Sequence, residues 1–176
     1  MSINNFLFNT IFQNKHIKVL VTYGSQTGNV EAVSKILFNK INLQFKEIKE
    51  MNAITDIKQL DDYDYVFFLV STTGDGEFPD NADKFWRIIK KYKDPVNFQY
   101  GLIGFGDSNY RSFCHTSKCL SRILKKLKAE EVFPFVQIDD ALDDSPKIEQ
   151  WIEDVYLFLK KKQSEVQNIF TRLMNN

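Results

Sequence analysis

The stretch Ile17–Asn29 reads IKVLVTYGSQTGN, and its two halves want different backbones. Ile17–Thr22 is a short, β-branched apolar run without polar alternation, the pattern of a strand buried on both faces. Tyr23-Gly24 breaks it. Beyond Gly28 the apolar residues change to helical spacing, with Val30, Val33, Ile36, Leu37 and Ile41 expected on one inward face. A buried strand passing through a glycine turn into an amphipathic helix is the opening unit of a parallel α/β sheet.

The same alternation recurs along the chain. A weaker strand is expected at Gln44–Ile48, and Tyr65–Val70 (YVFFLV) is the most apolar run, ending at Ser71-Thr72-Thr73-Gly74. A helix carrying Phe85, Trp86, Ile88 and Ile89 is expected to start near Asp80. Gly101–Phe105 is another buried strand. A basic amphipathic helix over 112–128 follows, with Cys119, Leu120, Ile123, Leu124 and Leu127 inward. Val132–Ile138 reads as the fifth strand and Lys147–Leu159 as the last helix, while 160–176 reads as an extra helix or a linker. Five buried strands separated by helices predict a doubly wound α/β domain over residues 17–160, preceded by an extension at 1–16.

Composition narrows the function. The chain has 176 residues, with 23 Lys plus Arg against 23 Asp plus Glu, so a globally basic nucleic-acid binder is excluded. Two cysteines, Cys114 and Cys119, make neither a disulfide framework nor a zinc signature, and a reducing, cytoplasmic setting is expected. No targeting or membrane segment is expected. The charges are nevertheless segregated. Eight acids (Asp56, Asp61, Asp62, Asp64, Asp75, Glu77, Asp80, Asp83) stand against Lys58 alone, and 130–144 carries six acids and no base. In contrast, 84–93 carries five bases and 111–128 six, with no acid in either. Blocks of one sign usually form solvated faces, but acids beside a site also favour a basic docking partner.

Six of the seven glycines (24, 28, 74, 76, 104 and 106) fall at the expected C-terminal ends of three strands. Ligands of open α/β sheets bind there. The turn Gly24-Ser25-Gln26-Thr27-Gly28-Asn29 offers hydroxyls, an amide and free N–H groups at a helix start, which suits a phosphate without a cation. It is no Walker loop, since Asn29 rather than Lys follows Gly28, and Gly104-x-Gly106 runs into Asn109 rather than completing a dinucleotide fingerprint. The acidic pair that a phosphoacceptor domain needs after its first strand is replaced by Tyr23-Gly24. The second turn, Ser71–Asp80, pairs Gly74 and Gly76 around Asp75, and the third carries Tyr110 at its tip, an aromatic suited to stacking on a planar ligand. Cys114, His115 and Cys119 read as packing and surface residues, and Phe67, Phe68 and Trp86 as core.

Together YGSQTGN, STTGDGEFPDNADKFW and GFGDSNYRSFC resemble the FMN domain of the diflavin reductase family, whose members serve haem monooxygenases, sulfite reduction, methionine synthase and cytosolic iron–sulfur assembly. Asp139-Asp140, followed by Trp151, extends the match. The resemblance implies a flavodoxin-like five-stranded parallel sheet of order 2-1-3-4-5 with helices on both faces. It also implies FMN at the strand ends, with FAD and NADPH on a separate module. It assigns the phosphate to Ser25, Gln26, Thr27, Gly28 and Asn29, and one edge of the ring to Thr72, Thr73, Gly74, Asp75 and Gly76. Gly106, Asp107, Tyr110, Phe113 and Asp140 are expected on the other side. Several relatives carry an aromatic where this chain has Thr73, so one flavin face is expected to be less covered. The implied function is relay of single electrons from an FAD/NADPH module to a haem, cobalamin or iron–sulfur acceptor with a basic docking surface. The isolated chain is then an electron carrier, and the alternatives are a stand-alone flavodoxin-type carrier or an NAD(P)H quinone reductase.

Overall fold

The computed structural model describes residues 16–174, so the expected extension at 1–16 lies outside the described residues except for His16. Six strands form one parallel sheet: β1 (Lys18–Gly24), β2 (Phe45–Glu50), β3 (Tyr65–Ser71), β4 (Gln99–Gly106), β5 (Glu130–Glu131) and β6 (Val136–Asp139). The order is β2-β1-β3-β4-β5, with β6 also paired to β4. Register runs Val21↔Phe67 between β1 and β3 and Phe67↔Gly101 between β3 and β4. The helices are α1 (Asn29–Lys40), α2 (Asp83–Ile89), α3 (His115–Lys126) and α4 (Ser145–Met174). Two short 3-10 turns, Met51–Ala53 and Ile57–Asp62, carry the chain from β2 to β3.

Alternate residues of the central strands fill two separate cores. Leu20, Val66, Phe68 and Leu102 join α2, α3 and the 3-10 turns on one face, while Val21, Phe67, Leu69 and Ile103 join α1 and α4 on the other. Phe67 and Phe68 are fully buried, and truncating either to Ala would cost about 3–5 kcal/mol by loss of transfer energy and creation of a cavity.

Several local expectations change. The fifth strand is divided between Glu130–Glu131 and Val136–Asp139, because Pro134 has no N–H for the ladder. Phe133, beside it, packs on Phe67 and Phe158. Turn bonds from Ala82 N and Asp83 N to Pro79 O delay α2 to Asp83. Ile36 is 57% exposed rather than inward, and its place is taken by Ser34, whose buried hydroxyl donates to Val30 O. Trp86 is half-buried, stacked on Phe78 at 4.6 Å, rather than in the core. Gly104 is inside β4 and not in a loop; a Cβ there would collide with Ser117 of α3. Residues 145–174 form one continuous helix that crosses residue 160 unbroken, and among its described side chains the last buried one is Leu159. No helix among the described residues is long and apolar enough to cross a membrane.

Candidate functional site

The loops after β1, β3, β4 and β6 emerge at the same edge of the sheet, since all these strands run parallel. Hydrogen bonds tie each loop to its neighbour. Ser71 Oγ donates to Gly24 O (3.4 Å), Ser112 Oγ to Asp75 O (2.7 Å), and Ser108 N to Asp139 Oδ1 (2.9 Å).

The first turn is built to leave donors free. Gly28 occupies the left-handed region (φ 92°) at the N-cap of α1, with open space around it, so the conformation itself selects glycine. The first helical bond runs from Ala32 N to Gly28 O (2.9 Å), which leaves the N–H groups of Asn29, Val30 and Glu31 without a helical acceptor. Ser25 Oγ accepts from Gly28 N (3.1 Å), and Gln26 and Thr27 are exposed. The turn is braced by residues that the sequence did not single out. Asn81 Oδ1 accepts from Ser25 N (2.8 Å), Asp80 N donates to Gln26 Oε1 (3.0 Å), and Asn52 Nδ2 holds Asp80 O (2.6 Å). Their only sequence signal was the polar PDN that closes the second motif.

The second turn is a tight hairpin. Thr73 N and Glu77 N exchange bonds with the opposing carbonyls (3.0 and 2.9 Å), and Gly74 takes φ 52° between them. A Cβ on Gly74 would also run into the Glu77 carboxylate. Asp75 is exposed and Gly76 packs against Ser112 and His115. Thr72 is tied to the helix that follows β4. Thr116 Oγ1 donates to Ser71 O (3.0 Å) and so accepts from Thr72 Oγ1 (2.9 Å), while Thr116 N donates to Thr72 Oγ1 (3.3 Å). The Thr72 hydroxyl therefore fastens the hairpin to α3.

In the third loop Gly106 approaches the Cys114 backbone too closely for a Cβ (2.7 Å). Tyr110 is 65% exposed at the tip, and Phe113 is half-buried with the Lys118 ammonium 5.1 Å over its ring. Asp107 is half-buried and Asp140 exposed, and Asp140 N donates to Gly106 O (2.7 Å). Burial, followed by the neighbouring Asp107 and Asp139 charges, pushes the Asp140 carboxyl above its ordinary value. Cys114, buried between β4 and β6, has its thiol raised to about 11 by desolvation. Trp151 packs edge-on against Phe67 in the core and is not part of the site.

The acids around this edge are of two kinds. Asp75, Glu77, Asp140 and Asp143 are exposed, whereas Asp139 and Asp144 are only 8% exposed and hold backbone N–H groups. Only the first kind presents its charge at the surface. The buried pair, grouped by sequence with the surface charges, belongs to the scaffold.

These features fit FMN rather than a dinucleotide. One turn supplies free N–H groups for a phosphate dianion, and an exposed tyrosine stands at the loop expected to flank a planar ring. Comparison with known proteins agrees. The Flavodoxin family model matches residues 21–151. The mitochondrial pyruvate dehydrogenase [NADP(+)] of Euglena gracilis is 34% identical over 160 residues, which is 87% of this chain and 9% of that protein. The sulfite reductase [NADPH] flavoprotein alpha-component of Vibrio cholerae is 32% identical over 147 residues, 81% of this chain and 24% of that one. The chain thus spans less than a quarter of the length of these relatives. Among solved structures, oxidised Flavodoxin 2 from Bacillus cereus superposes with a TM-score of 0.68 at 25% identity, covering 82% of this chain and 99% of its own. From the loops, the strand order and these likenesses together, the chain belongs to the flavodoxin family.

Proposed function

We propose that this domain uses FMN to relay electrons from an FAD- and NADPH-binding reductase module to a redox acceptor protein with a basic docking surface, carrying haem, cobalamin or an iron–sulfur centre. The observation that carries the reading is the first turn with its three unpaired helical N–H groups, set at the same sheet edge as the exposed Tyr110. Both relatives named above bear NADP(H) in their names and are several times longer than this chain, which supports electrons arriving from a separate module. The cytoplasm is the proposed compartment, consistent with two free cysteines.

Bound FMN supplies redox chemistry in one- and two-electron steps, and the chain supplies position and electrostatics. The N–H groups of Asn29, Val30 and Glu31, with the Ser25 and Thr27 hydroxyls, hold the phosphate at the positive end of α1. Tyr110 stacks on the ring and Phe113 supports its loop. The Gly74 carbonyl is not used by any hydrogen bond among the described residues, so it is free to accept one from the ring edge, where Gly74 supplies the backbone freedom. Asp107 and Asp140 place negative charge near the ring, which disfavours added negative charge there and makes the reduced cofactor a better donor. No side chain is needed as nucleophile or general acid.

The test is direct. The purified chain should release FMN, identified by mass, at a 1:1 ratio. Dithionite should reduce it, while NADPH alone should leave it largely oxidised until an FAD module is added. Release of FAD, or rapid bleaching by NADPH without a second module, overturns the reading; the latter would make the chain a quinone-reductase-type enzyme.

A further inference from the structure

The turn that follows β6 is over-determined. Asp139 Oδ1 accepts from two amides, Ser108 N across the loops (2.9 Å) and Ala141 N within its own (3.0 Å). Asp144 Oδ2 accepts from Asp139 N (2.9 Å), and Asp144 Oδ1 meets Lys147 Nζ of α4 (2.7 Å). Backbone bonds from Leu142 N to Asp139 O (3.0 Å) and Asp144 N to Leu142 O (3.0 Å) close the turn. Both carboxylates are 8% exposed, so neither is a solvated charge. Ser108 lies two residues before Tyr110, in a turn where Asn109 N donates to Asp107 Oδ1 (2.8 Å) and Tyr110 N to Asp107 O (3.1 Å).

We infer that Asp139 and Asp144 are positioning residues that clasp the turn after β6 to the Tyr110 loop, fixing the aromatic cover of the ring before FMN arrives. This rests on the FMN reading above. Tyr110 itself is 65% exposed, so its placement depends largely on the backbone beneath it, and that backbone is anchored to the turn after β6 at Ser108 N. Other groups facing the clasp are Asp107, Asp140 and Cys114, with Lys147 the cation on α4. Ser108, through its hydroxyl and N–H, holds the Asp139 carboxyl below the usual carboxylate range, and Lys147, then the Asp139 N–H, does the same for Asp144. A depressed folded-state value means the clasp is closed at neutral pH and opens only as pH falls through that depressed value, below the ordinary carboxylate range.

The experiment is a double-mutant cycle on the full chain, titrating FMN and riboflavin into wild type, Asp139→Ala, Asp139→Asn, Tyr110→Ala and Asp139→Ala/Tyr110→Ala. Asp139→Ala should weaken FMN about tenfold or more, the scale of two amides left unpaired, whereas Asp139→Asn keeps an acceptor oxygen and should stay within about threefold. Tyr110→Ala should cost much less in the Asp139→Ala background than in wild type, and the ratio of FMN to riboflavin affinity should be unchanged by Asp139→Ala. Additive losses, or a loss that falls on the phosphate, overturn the proposal. Should Asp139→Ala fail to fold, amide exchange in the FMN-free wild type decides: the Ser108, Asp139 and Ala141 amides should be strongly protected, and exchange at free-peptide rates overturns the clasp. A wild type that binds no flavin overturns the FMN reading instead, while the exchange result still reports on the clasp.

Discussion

The turn after β1 and the loops after β4 and β6 lie at one edge of the sheet but are held in different ways. The first is braced mainly by neutral groups: Asn81, Asn52, Gln26 and the Ser25 hydroxyl. The others are held by carboxylates, Asp139 and Asp144 within the scaffold and Asp107 beside the tip. The scaffold of the first turn therefore depends little on protonation, its one carboxylate brace among the described residues being Asp80 Oδ2, which accepts from Gln26 Nε2 (3.2 Å). Carboxylate bracing ties the other loops to protonation only in strong acid, because the Asp139 and Asp144 carboxyls are held below the usual range, and their burial limits screening by salt.

The largest effect that would break this contrast concerns the phosphate. Riboflavin should bind about 10³-fold more weakly than FMN, since hydrogen bonds to a charged group contribute about 1.5–3 kcal/mol each and several are lost together. A fluorescence titration in which the two ligands bind alike removes the phosphate role of the first turn. At the ring end, Tyr110→Ala should weaken FMN by about 1–3 kcal/mol, on the scale of aromatic–base stacking. Equal dissociation constants for the variant and wild type would show that Tyr110 does not stack.

Smaller effects sharpen the division among the acids. Reversing the exposed Asp75, Glu77 and Asp143 to Lys should slow electron transfer with a basic partner about tenfold at low ionic strength, and the difference should fade as salt rises. Stopped-flow rates that ignore ionic strength would remove electrostatic docking. The smallest effect is expected at Asp140. Its carboxyl is pushed upward, so the ionised form is penalised in the folded state, and that penalty is relieved as pH falls through the folded value. Asp140→Asn should therefore raise Tm at pH 7 by at most about 2 °C, and the gain should vanish below about pH 4. Thermal melts at the two pH values check the sign.

Much of this was legible from residue order. The alternation of β-branched runs with helical spacing located four of the strands and the strand-end loops, because period and burial are written locally. What pairs with what across the loops was not. Asp139 and Asp143 look alike in a run of acids, yet one is buried on Ser108 N and the other is exposed, and only the path of β6 separates them. Thr72 sits in a ligand-like motif, but Thr116, 44 residues away, captures its hydroxyl. Gly104 resembles a loop glycine and is instead a place where Ser117 of α3 lies against the sheet. The split of the last strand followed from Pro134, a signal present in the sequence and outweighed by the apolar residues around it.

The anchoring of Asp75 has a mechanical consequence. Its carbonyl is pinned by the Ser112 hydroxyl, while the Gly74 carbonyl one residue earlier takes no partner among the described residues. The hairpin is therefore a hinge with one leaf fastened. Rotation is confined to a single peptide plane, with Thr73 and Glu77 closing the frame on either side. Such a plane can swing toward or away from a ring edge while the chain entering and leaving it stays still. Little conformational entropy is spent on the swing, and the surface offered to a partner keeps its shape throughout.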